Sequence, residues 1–350
     1  MIEVVNESEY ANTAIIPSER ARIILQHKFT LTLQHTAGRE GKWMISDYLS
    51  QPYLTSGYIN PMDAILRRFK STMLNPVAKS APSSCASRLV PANMAPLKLQ
   101  STYKMNSGYE IPVLGFGIDS ARAYHNEAEC GAAVHASGLK RSDVFFTTKV
   151  PRRAMGYEQT KDSIESSLRV ANLDYIDLML LHAPYGGREA REGSWRALVE
   201  AQKEGKVRSI GVSNYGVHHL DELEEYNKHV GGKIDVAQYE LHPWLARPDI
   251  VEWLKKRNVV IEAYSPLAQA TRMDDPLIKK LAQKHNKSTG QILLRWSLQK
   301  GFVPLPKSVH DNRIEENSEI FDFELSVDDM ETLNTGEYHH VCWDPTVSRD

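Results

Sequence analysis

From residue 113 onward the chain repeats one unit, a short apolar run followed by an amphipathic stretch, and that alternation restricts the fold more than any other feature. The apolar runs cover 113–117, 118–121, 144–149, 176–182, 209–213, 236–240, 260–264 and 303–306. Helical periodicity falls on 157–171, 195–204, 218–226, 248–256, 276–285 and 289–300. In the first of these, Ile164, Leu168 and Ala171 share a side while Lys161, Glu165 and Arg169 lie elsewhere. Strands joined through helices run parallel, with the helices outside. Units of about 30 residues fit a (β/α)8 TIM barrel of the α/β class better than an open doubly wound sheet. No Gly-x-Gly-x-x-Gly follows any run, which argues further against an open dinucleotide-binding sheet. Ahead of the repeats, 97–103 and 110–112 flank Asn106-Ser107-Gly108 and read as an N-terminal β-hairpin.

The chain divides near residue 95. Residues 1–95 show no sustained periodicity and end in a Pro-, Ser- and Ala-rich stretch over 75–96 that reads as linker. One helix fits there, with Asn60 as cap, Pro61 at its first position, and Met62, Ile65, Leu66, Phe69 and Met73 on one face. The segment reads as a largely disordered extension ahead of a barrel over 96–350. Met94-Ala95-Pro96 would serve as the start of a shorter protein.

A chain of 350 residues, 41% hydrophobic and 25% charged, can bury a large core as a soluble globular protein. A net charge of −2 gives no attraction for nucleic acid or an anionic membrane. No apolar run approaches the roughly 20 residues that span a bilayer. Cys85, Cys130 and Cys342 lie far apart, none at metal-ligand spacing, so a reducing compartment without a metal centre is expected. The start Met1-Ile2-Glu3, with Glu7 and Glu9 close behind, makes no secretory signal, and the cytoplasm is the expected location.

Chemistry in a parallel barrel sits at the C-terminal strand ends. Here the runs close on Asp119, Lys149, His182, Ser213-Asn214, Gln238, Tyr264 and Lys307-Ser308. A single strand-end Asp or His is ordinarily a satisfied hydrogen-bonding residue, but seven polar endings on one face point to a site. The segments Gly115-Phe116-Gly117, Asp119-Ser120-Ala121-Arg122-Ala123-Tyr124 and Thr147-Thr148-Lys149-Val150-Pro151 resemble the aldo-keto reductase family, in its fungal aldehyde- and ketone-reductase type. So do Leu173-Asp174-Tyr175-Ile176-Asp177-Leu178, Leu181-His182-Ala183-Pro184, Gly211-Val212-Ser213-Asn214, Tyr264-Ser265-Pro266-Leu267 and Pro306-Lys307-Ser308, in family order over about 97–346.

The resemblance implies NADPH-dependent reduction of a small aldehyde or ketone by a monomer or weak homodimer, through a tetrad of Asp119, Tyr124, Lys149 and His182. Tyrosine is a weak acid at neutral pH unless a cation stabilises its anion; Lys149 would do that for Tyr124, with Asp119 holding Lys149. His182 would orient the carbonyl. Tyr124 could otherwise be a core aromatic at a helix entry. Ser213, Asn214 and Gln238 would bond the nicotinamide carboxamide, Tyr264 would stack on the ring, and Ser265 and Leu267 would approach the pyrophosphate. Lys307, Ser308 and Arg313 match the 2′-phosphate of NADPH (NADP+ after reaction), which NADH lacks, and Glu316 and Asn317 would reach the adenine. Trp244 and Trp343 read equally as walls of an apolar substrate pocket or as core anchors.

One departure from the family stands out. Its members place a segment of roughly 20–25 residues between the first two of these strands, and parallel neighbours need a crossover of about a dozen residues or more. Here Gly117 is followed directly by Ile118-Asp119, so the first β/α unit is incomplete and 113–121 can serve as one strand, not two. Either the sequence lacks a coding segment, or the barrel is open or patched by 1–95. Beside the reductase reading stand a catalytically impaired or non-catalytic NADPH-binding protein, a misfolded product and, more remotely, a phosphate-binding barrel isomerase.

Overall fold

The structure, a computed structural model, describes residues 96–349 apart from 116, 117 and 309, and the backbone of three strands within the first 95 residues. Those strands, β1 (Arg20–Leu25), β2 (Phe29–His35) and β3 (Trp43–Ile45), pair antiparallel in that order. Although 1–95 shows no sustained periodicity, Thr30-Leu31-Thr32-Leu33 within β2 alternates with the period of a strand. The helix expected over 60–73 lies outside the described residues.

The hairpin forms as expected: β4 (Thr102–Lys104) pairs antiparallel with β5 (Glu110–Pro112). Gly108 takes the turn at φ +89, a conformation that a side chain disfavours. Met105 and Ile111 pack against Leu178, Leu180 and Val236 of the barrel, and Ser107 Oγ meets Ser209 Oγ at 2.8 Å. The hairpin therefore covers the barrel on the side where the strands begin.

Seven of the eight apolar runs form one parallel sheet. Its strands are β6 (Ile118–Asp119), β7 (Phe146–Val150), β8 (Ile176–Leu181), β9 (Val207–Ser213), β10 (Val236–Glu240), β11 (Val260–Tyr264) and β12 (Phe302–Pro304). Each pairs with its neighbour in sequence, from β6 at one edge to β12 at the other, and the sheet curls as in a (β/α)8 barrel that lacks its first unit. The first run, 113–117, forms no strand of its own among the described residues. Gly115 N–H donates to Pro304 O of β12 at 3.1 Å, and three residues later Ile118 N–H donates to Phe145 O at 2.8 Å, just ahead of β7. One short segment thus touches both edges of the sheet, because no crossover is present to let it supply two strands. Val113 and Leu114 are buried beside Leu294, Leu298 and Ile320.

The helices are α1 (Glu127–Ala136), α2 (Tyr157–Ala171), α3 (Gly187–Lys203), α4 (Val217–Val230), α5 (Pro248–Lys255), α6 (Pro276–His285), α7 (Thr289–Gln299), α8 (Asp311–Ser318) and α9 (Val327–Thr332). Six lie where helical periodicity puts them, although α3 starts at Gly187, well ahead of 195. Helix α1 has no apolar stripe to read; it packs on α2 through small residues, and a Cβ on Gly131 would collide with the Ala171 carbonyl. No described helix is long and apolar enough to cross a membrane.

Candidate active site

Lys149, on β7, is fully buried, and its ammonium donates to both oxygens of Asp119 at 2.7 Å and to Ser120 O at 3.3 Å. Removing two charges from water costs several kcal/mol per ion unless each is paired and hydrogen-bonded. Asp119 meets that condition with a further donor, Gln238 Nε2, at 3.3 Å. The same amide donates to Glu262 Oε2 at 2.9 Å, so a buried chain runs Glu262, Gln238, Asp119, Lys149 through the barrel interior.

A single turn of 3-10 helix over Arg122–Tyr124 follows β6 and sets Tyr124 beside this pair. The Lys149 ammonium lies 4.9 Å from the Tyr124 ring centroid. Tyr124 Oη lies 3.3 Å from His182 Nε2, and the two rings meet edge to face at 5.5 Å. His182 directly follows β8 and is half-buried at the mouth of the barrel. Burial, reinforced by the charges of Lys149 and Arg152, pushes its pKa down to about 3, so the imidazole is neutral at physiological pH. The four residues that the motifs single out therefore converge.

A second set adjoins the first. Ser213 ends β9, and Asn214 turns the chain at φ +61. Asn214 Nδ2 donates to His182 O at 3.1 Å and to Ser213 Oγ at 3.0 Å, while Tyr264 Oη donates to Asn214 Oδ1 at 2.9 Å. The Gln238 side chain makes both of its hydrogen bonds, to Asp119 and Glu262, through Nε2. Ser265 Oγ stands 3.4 Å from Cys342 Sγ, and Leu267 packs against the cluster of Leu294 and Leu298. Lys307 and Arg313 are exposed, and neither meets a carboxylate among the described residues. Ser308 Oγ accepts from His310 N–H at 3.1 Å, just before α8, which carries Arg313, Glu316 and Asn317.

The two tryptophans separate. Trp244 is buried in the core beside His242. Trp343 faces the site, edge-on to His182 at 6.1 Å and beside Tyr185 at 5.9 Å.

Four polar residues of this neighbourhood escape the motif reading. Glu262 and Glu240 are fully buried, each two residues from a residue read as functional, Tyr264 and Gln238. Alternate residues of a strand share a face, so a charge two places along an apolar run signals an inward carboxylate. Glu262 Oε1 has no partner among the described residues, and burial, with the charge of Asp119, pushes this acid up to about 8. Glu127, at the start of α1, accepts from Thr148 Oγ1 at 2.6 Å behind Lys149. Arg152 stands over the Trp343 ring, its Cζ 5.1 Å from the centroid.

The profile of the Aldo/keto reductase family matches residues 115–335. The sequence is similar to an uncharacterized oxidoreductase of Schizosaccharomyces pombe, 39% identical over 278 residues that take in 71% of this chain and 99% of the relative. It is also similar to the glyoxal reductase of Bacillus subtilis, 40% identical over 263 residues, 68% of this chain and 94% of the relative. Among solved structures it resembles an aldo-keto reductase from a Medee basin deep-sea metagenome library, with a TM-score of 0.66, 32% identity and coverage of 71% and 99%. An aldo/keto reductase from Brucella melitensis gives a TM-score of 0.63, 35% identity and coverage of 67% and 98%. Since 71% of this chain is about 249 residues, about 30 of the 278 positions aligned with the S. pombe relative have no counterpart here.

Proposed function

The chain belongs to the aldo/keto reductase family of oxidoreductases, and from that premise we propose that it reduces an aldehyde or ketone to the alcohol with NADPH as hydride donor. The observation that carries the reading is the position of Tyr124, with the Lys149 ammonium 4.9 Å from its ring and His182 Nε2 3.3 Å from its hydroxyl. Reduction leaves an alkoxide that needs a proton. Tyr124 gives it, and Lys149, held by Asp119, stabilises the tyrosinate that remains. Neutral His182 holds the carbonyl oxygen beside the Tyr124 hydroxyl.

The residues present fit NADPH, which when bound supplies the hydride. Gln238 makes its hydrogen bonds to Asp119 and Glu262 through Nε2, which leaves its carbonyl oxygen to face an amide donor, and Ser213, in register with it on β9, and Asn214 stand beside it. Tyr264, fixed through Asn214, offers its ring as a platform, with Ser265 and Leu267 following it toward the pyrophosphate. Lys307 and Arg313, two cations that meet no carboxylate among the described residues, and Ser308 suit a 2′-phosphate; Glu316 and Asn317 lie further along α8 for the adenine. A second reading, an impaired or non-catalytic NADPH-binding protein, draws support from the absent first unit.

The test is NADPH oxidation with a generic aldehyde, followed by absorbance, in the parent chain and in Tyr124→Phe. The substitution removes one hydroxyl and is expected to lower turnover by about 10²–10⁴ while NADPH binding persists. Comparable turnover in the variant removes Tyr124 from the acid role. A folded parent that binds NADPH and reduces nothing favours the second reading.

A further inference from the structure

Arg152 is a cation near the site that the reduction itself leaves without a task. It follows Val150 and Pro151 at the end of β7, three residues after Lys149, and is exposed at the barrel mouth. Its guanidinium stands over Trp343, whose ring lies edge-on to His182 at 82°. The path from the reacting hydroxyl outward therefore runs Tyr124, His182, Trp343, Arg152. Arg152 is also close enough to His182 to disfavour a positive charge on it.

A surface arginine is ordinarily a solvated charge. This one has no carboxylate partner among the described residues, and its Cζ lies 5.1 Å from the centroid of an indole ring. A guanidinium held over an aromatic ring by a cation–π contact keeps its N–H groups available, in a fork that matches a carboxylate or a phosphate. Trp343 and Tyr185, both half-buried, stand side by side at 5.9 Å and give the barrel mouth an apolar wall. Trp343 is itself held in place, because the preceding residues Val341 and Cys342 donate their backbone N–H groups to buried Glu240.

We infer that Arg152, braced on Trp343, binds an anionic group, carboxylate or phosphate ester, carried by the carbonyl compound a few bonds from the carbon being reduced. The inference rests on the carbonyl-reductase reading of Tyr124 and His182 and names the substrate class for that site.

The test compares kcat/KM for 4-oxobutanoate, glyceraldehyde 3-phosphate and uncharged butanal, in the parent and in Arg152→Gln and Arg152→Lys. The parent is expected to favour at least one anionic aldehyde over butanal by roughly tenfold or more, and the better anion identifies the group. Arg152→Gln should collapse that ratio, and Arg152→Lys should keep part of it. No preference for either anion in the parent overturns the inference, as does an equal loss for charged and uncharged aldehydes in Arg152→Gln. Calorimetric binding of 4-oxobutanoate and glyceraldehyde 3-phosphate to the same three proteins separates the two readings. If nothing is reduced, the reductase reading fails, and Arg152 still stands or falls on whether Arg152→Gln weakens anion binding.

Discussion

Glu240 Oε1 accepts the backbone N–H of Val341 at 2.6 Å, tying the loop that follows α9 to the strand that carries Gln238. Its second oxygen accepts Cys342 N–H at 3.1 Å, and His242 Nε2 lies 3.0 Å from the first. Burial works against the charge of Glu240, but His242 and the two amide donors outweigh it and hold the carboxyl below its ordinary range. The loop so fixed places Trp343 beside His182.

Replacing Glu240 by Gln should loosen that loop. An amide offers one accepting oxygen where the carboxylate offers two, so a backbone N–H loses its partner at a cost of about 1–3 kcal/mol. The expected outcome is a lower melting temperature and a KM for aldehyde that rises more than kcat falls. A variant with unchanged melting and unchanged KM would show that the loop stays in place without Glu240.

Arg313→Ala should weaken NADPH binding and leave NADH binding nearly as it was, because Arg313 is assigned to a phosphate that NADH lacks. Loss of one charge-assisted hydrogen bond corresponds to about 1.5–3 kcal/mol, or roughly ten- to a hundredfold in Kd. Fluorescence titration with both cofactors decides it, and equal losses for the two would remove Arg313 from the 2′-phosphate.

Glu262 makes stability depend on pH in a direction opposite to most carboxylates. Its acid is raised to about 8 in the folded protein, first by burial and then by Asp119, against an ordinary 4.5. Between those values the folded chain holds a proton that the unfolded chain has lost, so the contribution of Glu262 declines as pH rises through the window and levels off above it. Glu262→Gln cannot ionise. Its stability relative to the parent should therefore grow from pH 5 to pH 9, by on the order of a few kcal/mol. Denaturant melts at the two pH values measure the difference; one that stays flat would mean that Glu262 does not titrate in this way.

The seam predicts that the barrel is short of chain. Gly115 reaches β12 and Ile118 reaches β7, so no residues are left to build a separate first strand, its loop and its helix. Inserting a family-type segment of about 25 residues between Gly117 and Ile118 should supply that crossover and raise the melting temperature by several degrees or more. It should also speed NADPH oxidation with a generic aldehyde, since all four tetrad residues are already present. If the chain without the insertion melts as sharply and turns over as fast, its seam is closed well enough by the residues it has.

The periodicity of the sequence by itself determined the run of strands β6–β12, the hairpin and six helices, because each hides an apolar face whose spacing is written locally. It also put Asp119, Lys149, His182, Asn214, Gln238 and Tyr264 at one end of the barrel, since each closes an apolar run. Helix α1 was illegible for the converse reason: its buried side is made of small residues that carry no stripe, and their use is visible only against Ala171. The same holds for Glu240, Glu262 and Arg152. Alternation shows that the two glutamates point inward, yet their partners stand on neighbouring strands and on a loop a hundred residues later. Those pairings follow from the register and curl of the sheet, as does the placing of Arg152 over Trp343. Which of its inward charges pair, and which pockets its loops wall, the tertiary structure decided, because hydrogen bonds and ring contacts reach only a few ångströms and chain positions meet at that range only once the sheet has curled.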